Sequence, residues 1–98
     1  MKVSSLKEKK RSEILSRLRK IEGQARGIQR MIENDGDCTD ILLQISALSA
    51  AARKVGTIIV RGCLEHCAAT IPTMTGQDDV KVKIDGMTEA IQRFIGMK

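Results

Sequence analysis

The sequence predicts an all-α fold: a long antiparallel helical hairpin followed by a shorter third helix. Three observations carry this reading. Apolar residues recur at spacings of four and three along most of the chain, which is the period of an amphipathic helix. The strong breaks are short and few, namely Asn34-Asp35-Gly36 and Pro72. Only Val80-Lys81-Val82-Lys83-Ile84 alternates like a strand, and a lone strand has no partner to pair with. The 98 residues are read as one domain, 1–98.

Helix 1 is expected over about 5–34. Ser5 is its N-cap, and Glu8, three residues on, completes a capping box. Ile14, Leu18, Ile21, Ala25, Ile28 and Ile32 form its apolar stripe. Gly23 and Gly27 are weak points inside it. Gly36 or Asn34 is expected to take the left-handed conformation that ends it. So short a break favours an antiparallel hairpin.

Helix 2 is expected over about 38–70, capped by Asp37. Its stripe runs Ile41, Ile45, Leu48, Ala52, Val55, Ile59 and Cys63. Gly56 and Gly62 each cost roughly 1 kcal/mol relative to Ala, so they should serve close backbone approach or a bend. Pro72 ends the helix, and Pro72 to Gln77 reads as a loop. Helix 3 is expected over 77–97, with Val80, Ile84, Met87, Ile91 and Phe94/Ile95 on one face. The strand at 80–84, followed by Asp85-Gly86, is its rival.

A small chain of three helices, two of them long, makes an open hairpin and not a closed core, so association should bury the remaining apolar surface. Met1 to Leu6 lacks an apolar core, and no run of 18 apolar residues exists, so no leader and no membrane role are expected. Three cysteines cannot all pair within a chain, which fits a cytoplasmic protein with reduced thiols. Phe94 is the one aromatic residue, which excludes recognition of single strands by base stacking. Residues 1–30 carry ten Lys/Arg against three Glu, a net of +7, while the rest of the chain is −2. Such a basic first helix suits a polyanion surface, with a solvated charged face as the plainer alternative. No acid/base pair or phosphate loop accompanies the thiols, so an enzyme is not expected.

The stretch from Asp37 to Cys67 holds all three cysteines. On a helix, Cys63 and Cys67 are i,i+4 neighbours on one face. Cys38 stands 25 residues before Cys63, roughly 37 Å away at about 1.5 Å per residue. The three thiols therefore cannot meet within one helix. They can meet between two copies, if two such helices pack antiparallel about a two-fold axis near Ala51, where Ala47, Ala50, Ala51 and Ala52 allow close approach. Four readings stay open. Three thiolates suit Cu(I). Zn(II) would need a fourth donor, and His66 points about 100° away from Cys67 on a helix. Cys38, at a helix N-terminus that favours thiolate, suits redox or persulfide sensing with Cys67, or capture of an electrophile such as formaldehyde. Three cysteines buried without a role are the plainest alternative.

At this point the chain resembles a known family, the CsoR/RcnR-type bacterial transcriptional repressors. The resemblance lies in RLRKIEGQ at 17–24, CTDILLQISA at 38–47 and CLEHC at 63–67, and it covers nearly the whole chain. It implies an all-helical protomer, an antiparallel dimer and a dimer-of-dimers tetramer. It also implies a repressor that binds double-stranded operator DNA and leaves it when a thiol site shared between subunits is loaded. Cys38 and Cys67 match the family's two cysteines. Cys63 stands where its copper sensors usually have a histidine, and Asp37 where a tyrosine often precedes the first cysteine. Arg17 and Lys54 match basic positions important for operator binding; Arg19, Lys20 and Arg53 are added from charge placement, with solubility as their plainer role. The expected inducer is Cu(I), held by Cys38 of one chain with Cys63 and Cys67 of the other. The alternatives are persulfide acting through a Cys38–Cys67 crosslink, another thiophile such as As(III), and a copper-buffering protein without a DNA role, which the N-terminal charge opposes. A single histidine is too few for a typical nickel or cobalt site.

Overall fold

The computed structural model describes residues 2–3, 6–70 and 76–96, without the side chains of 70 and 77–80. Three helices follow one another: α1 (Glu8–Glu33), α2 (Cys38–Thr70) and α3 (Gln77–Gly96). No strand occurs among the described residues, and 80–84 is helical, so the rival strand is not formed.

α1 begins two residues later than the capping box implied. Its N-cap is Lys7, with extended backbone (φ −61°, ψ 146°) and no side-chain cap bond. Ser5 lies outside the described residues. The cause is packing. Leu6 turns inward and is only 7% exposed, where it joins Ile14 and Val55 in a small core flanked by Ile21 and Ile58. Burying a leucine is worth about 1.5–3 kcal/mol, more than one extra capped turn contributes.

The hairpin turn also differs from expectation. Asp35 takes the left-handed conformation (φ 54°), and neither Asn34 nor Gly36 does. The Gly36 N–H donates to Met31 O at 2.7 Å and the Asp35 N–H to Ile32 O at 3.3 Å. That is the Schellman pattern with Asp35 at its left-handed position, which a short polar side chain tolerates. Gly36 is needed for space, since an added Cβ would stand 2.8 Å from Met31 O.

The stripe of α1 divides between two seams. Ile14 and Ile28 are buried and Ile21 half-buried, one residue per heptad. Leu18 and Ile32, offset by four, are 44% and 61% exposed. α1 and α2 pack along the hairpin, and α3 touches α2 at fewer places. Each of the two glycines of α2 has a neighbouring side chain close against it. A Cβ on Gly62 would stand 2.6 Å from Leu6 Cδ2, and a Cβ on Gly56 would enter the Phe94 ring.

The chain measures 60 × 27 × 14 Å, with a radius of gyration of 17.7 Å, against about 13 Å for a compact chain of this length. A thickness of 14 Å is little more than one helix diameter, so the protein is a single layer. Stable domains normally pack two. α2 is long and apolar enough to cross a membrane by length and composition alone. Arg53 and Lys54 interrupt it at mid-length, where each cation costs about 2.5–3.5 kcal/mol in a spanning helix.

Candidate thiol site and cationic face

α2 carries the thiols at its two ends. At its start, Asp37 caps the helix as expected: its carboxylate accepts from the Thr39 and Asp40 amides at 3.1 and 3.3 Å. Cys38 follows in the first turn and is exposed.

At the far end, Cys63 is half-buried and Cys67 buried. Cys63 lines an apolar cleft of about 250 Å³ between α2 and α3, shared with Phe94, Ile91 and Met87. Burial pushes the Cys63 thiol up from its ordinary range, and the nearby Cys67 adds to this. His66 lies in a different depression, with Lys7, Lys10 and Glu65. It therefore points away from the Cys63 cleft, in keeping with the turn of the helix between them.

Among the described residues, no three Cys, His, Asp or Glu side chains of one chain come together. The structure brings Cys63 and Cys67 to successive turns and leaves Cys38 at the opposite end of a 33-residue helix.

A strap that sequence reasoning missed crosses the thiol-bearing end. Lys10 Nζ donates to both carboxylate oxygens of Glu65, at 3.1 and 3.0 Å, and Leu6 seats over Gly62. The Lys10 ammonium bonded to Glu65 holds that carboxyl below its ordinary range. Nothing local in the sequence pairs residues 55 apart. The bulky Leu6 and the helical Gly62 were the one available signal.

The basic residues do not all gather. Arg17 and Lys20 share one shallow depression with Glu13 and Ala51, and Arg17 Nε donates to Glu13 at 3.3 Å. Arg19 and Lys54 are exposed. Arg53 lies over the Phe94 ring, 5.6 Å from its centroid, on the α3 side.

These features have relatives. Over 78 residues the chain is 42% identical to the copper-sensing transcriptional repressor CsoR of Bacillus subtilis, covering 79% of this chain and 77% of that protein. It is 42% identical over 79 residues to the copper-sensing transcriptional repressor RicR of Mycobacterium tuberculosis, with 81% of each covered. The crystal structure of the copper-sensing repressor CsoR with Cu(I) from Geobacillus thermodenitrificans superposes with a TM-score of 0.79 at 33% identity, covering 91% of this chain and 90% of that one. The nickel-responsive transcriptional regulator InrS shares the fold, with a TM-score of 0.72 at 24% identity over 85% of this chain and 90% of its own. Residues 10–94 match the family of metal-sensitive transcriptional repressors, and the chain belongs to that family, whose named relatives here are regulators and not enzymes.

Proposed function

We propose that this protein is a cytoplasmic, single-domain repressor that binds double-stranded operator DNA as a dimer of dimers and is released by Cu(I). The observation that carries the reading is the placement of the thiols. Cys63 and Cys67 offer two soft donors on adjacent turns, and Cys38 stands exposed at the other end of the same helix. An antiparallel second copy of α2 supplies Cys38 of the partner subunit to the Cys63–Cys67 pair. Three thiolates are a donor set that Cu(I) accepts, while Zn(II) would need a fourth. The named copper sensors among its relatives support the same inducer.

The basic residues of the hairpin neutralise operator phosphates. Arg17, Arg19, Lys20, Arg53 and Lys54 are the candidates, and binding is expected to weaken steeply with salt. Cu(I) acts by favouring a state with lower DNA affinity. A coupling of about 1–3 kcal/mol is typical of such switches.

The test is an anaerobic Cu(I) titration against a competing chelator, run beside fluorescence anisotropy of labelled promoter DNA. One tight Cu(I) per protomer with release of DNA supports the proposal. Cys63→Ala should weaken copper binding, and Cys38→Ala should abolish the response. A Cys38→Ala protein that still leaves DNA on Cu(I) addition refutes the shared thiol site.

The exposure of Cys38 favours one second reading. A sulfane-sulfur donor converts Cys38 to a persulfide. The Cys67 thiolate of the other subunit attacks its inner sulfur, forms the disulfide and expels hydrosulfide. Mass spectrometry after polysulfide treatment would then find chains crosslinked through Cys38 and Cys67, with Cys63 dispensable.

A further inference from the structure

The register of α3 on α2 places a further sulfur, that of Met87, opposite Cys63. Phe94 pins that register, because its ring occupies the space where Gly56 would carry a Cβ. The direction of α3 follows from chain length. Gly56 to Thr70 rises about 21 Å and Gln77 to Phe94 about 25 Å, at about 1.5 Å per residue. The connection between Thr70 and Gln77 spans at most about 25 Å. With Phe94 at Gly56, a parallel α3 would start roughly 46 Å from Thr70, beyond that reach. α3 therefore runs back along α2. Seven residues forward from Gly56 is Cys63, and seven residues back from Phe94 is Met87. Each step is about 10.5 Å, so Cys63 and Met87 stand opposite one another. The same cleft joins all four residues, with Ile59 and Ile91 between its two ends.

We propose that Met87 is a soft sulfur donor to a metal ion held by Cys63 and Cys67 of the same chain. This deepens the copper-sensing reading and rests on it. A thioether is a ligand that Cu(I) accepts and hard cations do not. It is neutral, so it adds no charge. Binding releases protons from the thiols only. Methionine has three rotatable bonds and can move from packing against the cleft to facing a metal without displacing α3. The apolar walls keep water, a competing oxygen donor, away from that side of the ion. Met87 would thus favour Cu(I) at a position where a cysteine alone leaves the choice of thiophilic metal open.

The test uses full-length protein in which the methionines are replaced by selenomethionine, loaded anaerobically with one equivalent of Cu(I) and measured by copper-edge X-ray absorption. The expected result is a copper–selenium shell beside the copper–sulfur shell. That selenium shell should vanish in Met87→Leu, which keeps the volume of the side chain and the helix stripe. It should persist in Cys38→Ala, because Cys63, Cys67 and Met87 belong to one chain. A copper–sulfur shell without selenium in the labelled protein overturns the role of Met87 and leaves the thiol site standing. An unchanged sulfur count in Cys38→Ala, with selenium present, instead overturns the shared site and leaves Met87 in place. Protein that holds no Cu(I) overturns both.

Discussion

Gly56 is the residue on which the position of α3 depends. Any side chain there meets the Phe94 ring. Gly56→Ala should cost about 1–3 kcal/mol, the usual penalty for overpacking. It should lower the midpoint of urea unfolding and, by lifting α3, speed alkylation of Cys63 in the folded protein. In the native protein the order of alkylation should follow exposure, with Cys38 first and Cys67 last. The raised Cys63 pKa has a consequence of definite sign. Burial disfavours its thiolate, so the folded state holds this proton more tightly than the unfolded chain does. The resulting stability is complete below the ordinary thiol value of 9.0 and is lost as pH rises through the higher folded value. Thermal melts above pH 9 should therefore fall more steeply for the native protein than for Cys63→Ala.

At the scale of the elements, caps decide where helices begin, and packing can overrule them. Asp37 is the cap that works: one carboxylate oxygen holds two amides of the first turn of α2. Asp37→Ala should cost about 0.5–2 kcal/mol, read as a lower Tm, and should fray the turn that carries Cys38. This cap, the three helices and the i,i+4 thiol pair were legible in the sequence because each is set by neighbours within a few residues. The start of α1 was not, because Leu6 answers to Gly62 and Val55, which are distant in sequence. The left-handed residue of the hairpin was misassigned for a related reason. Propensity favours glycine there, but Gly36 is needed one residue later, where any Cβ would crowd Met31, and Asp35 takes the left-handed position. The depression shared by Arg17 and Lys20 was readable as charge. The turn of Arg53 onto Phe94 was not, since it depends on how α3 docks.

The molecule as a whole is a flat layer with one face of each long helix unspent. The seam of Leu18 and Ile32 on α1, together with Leu42 and Ile45 on α2, stays exposed in the single chain. Covering it with a second copy would build the missing layer and at the same time bring Cys38 of the partner subunit to Cys63 and Cys67. Assembly and metal binding would then be one equilibrium, because anything that binds the assembled state stabilises it by mass action. Leu18→Glu separates this from simple misfolding. Leu18 is 44% exposed in the protomer, so a charge there should leave the hairpin helical by circular dichroism. Buried in a dimer, the same carboxylate would cost several kcal/mol. Sedimentation should therefore show smaller species for Leu18→Glu than for the native protein, with tight Cu(I) binding and DNA affinity lost together. If Leu18→Glu sediments as a monomer yet holds Cu(I) as tightly as the native protein, the thiol site is complete within one chain, and Cys38 has no part in it.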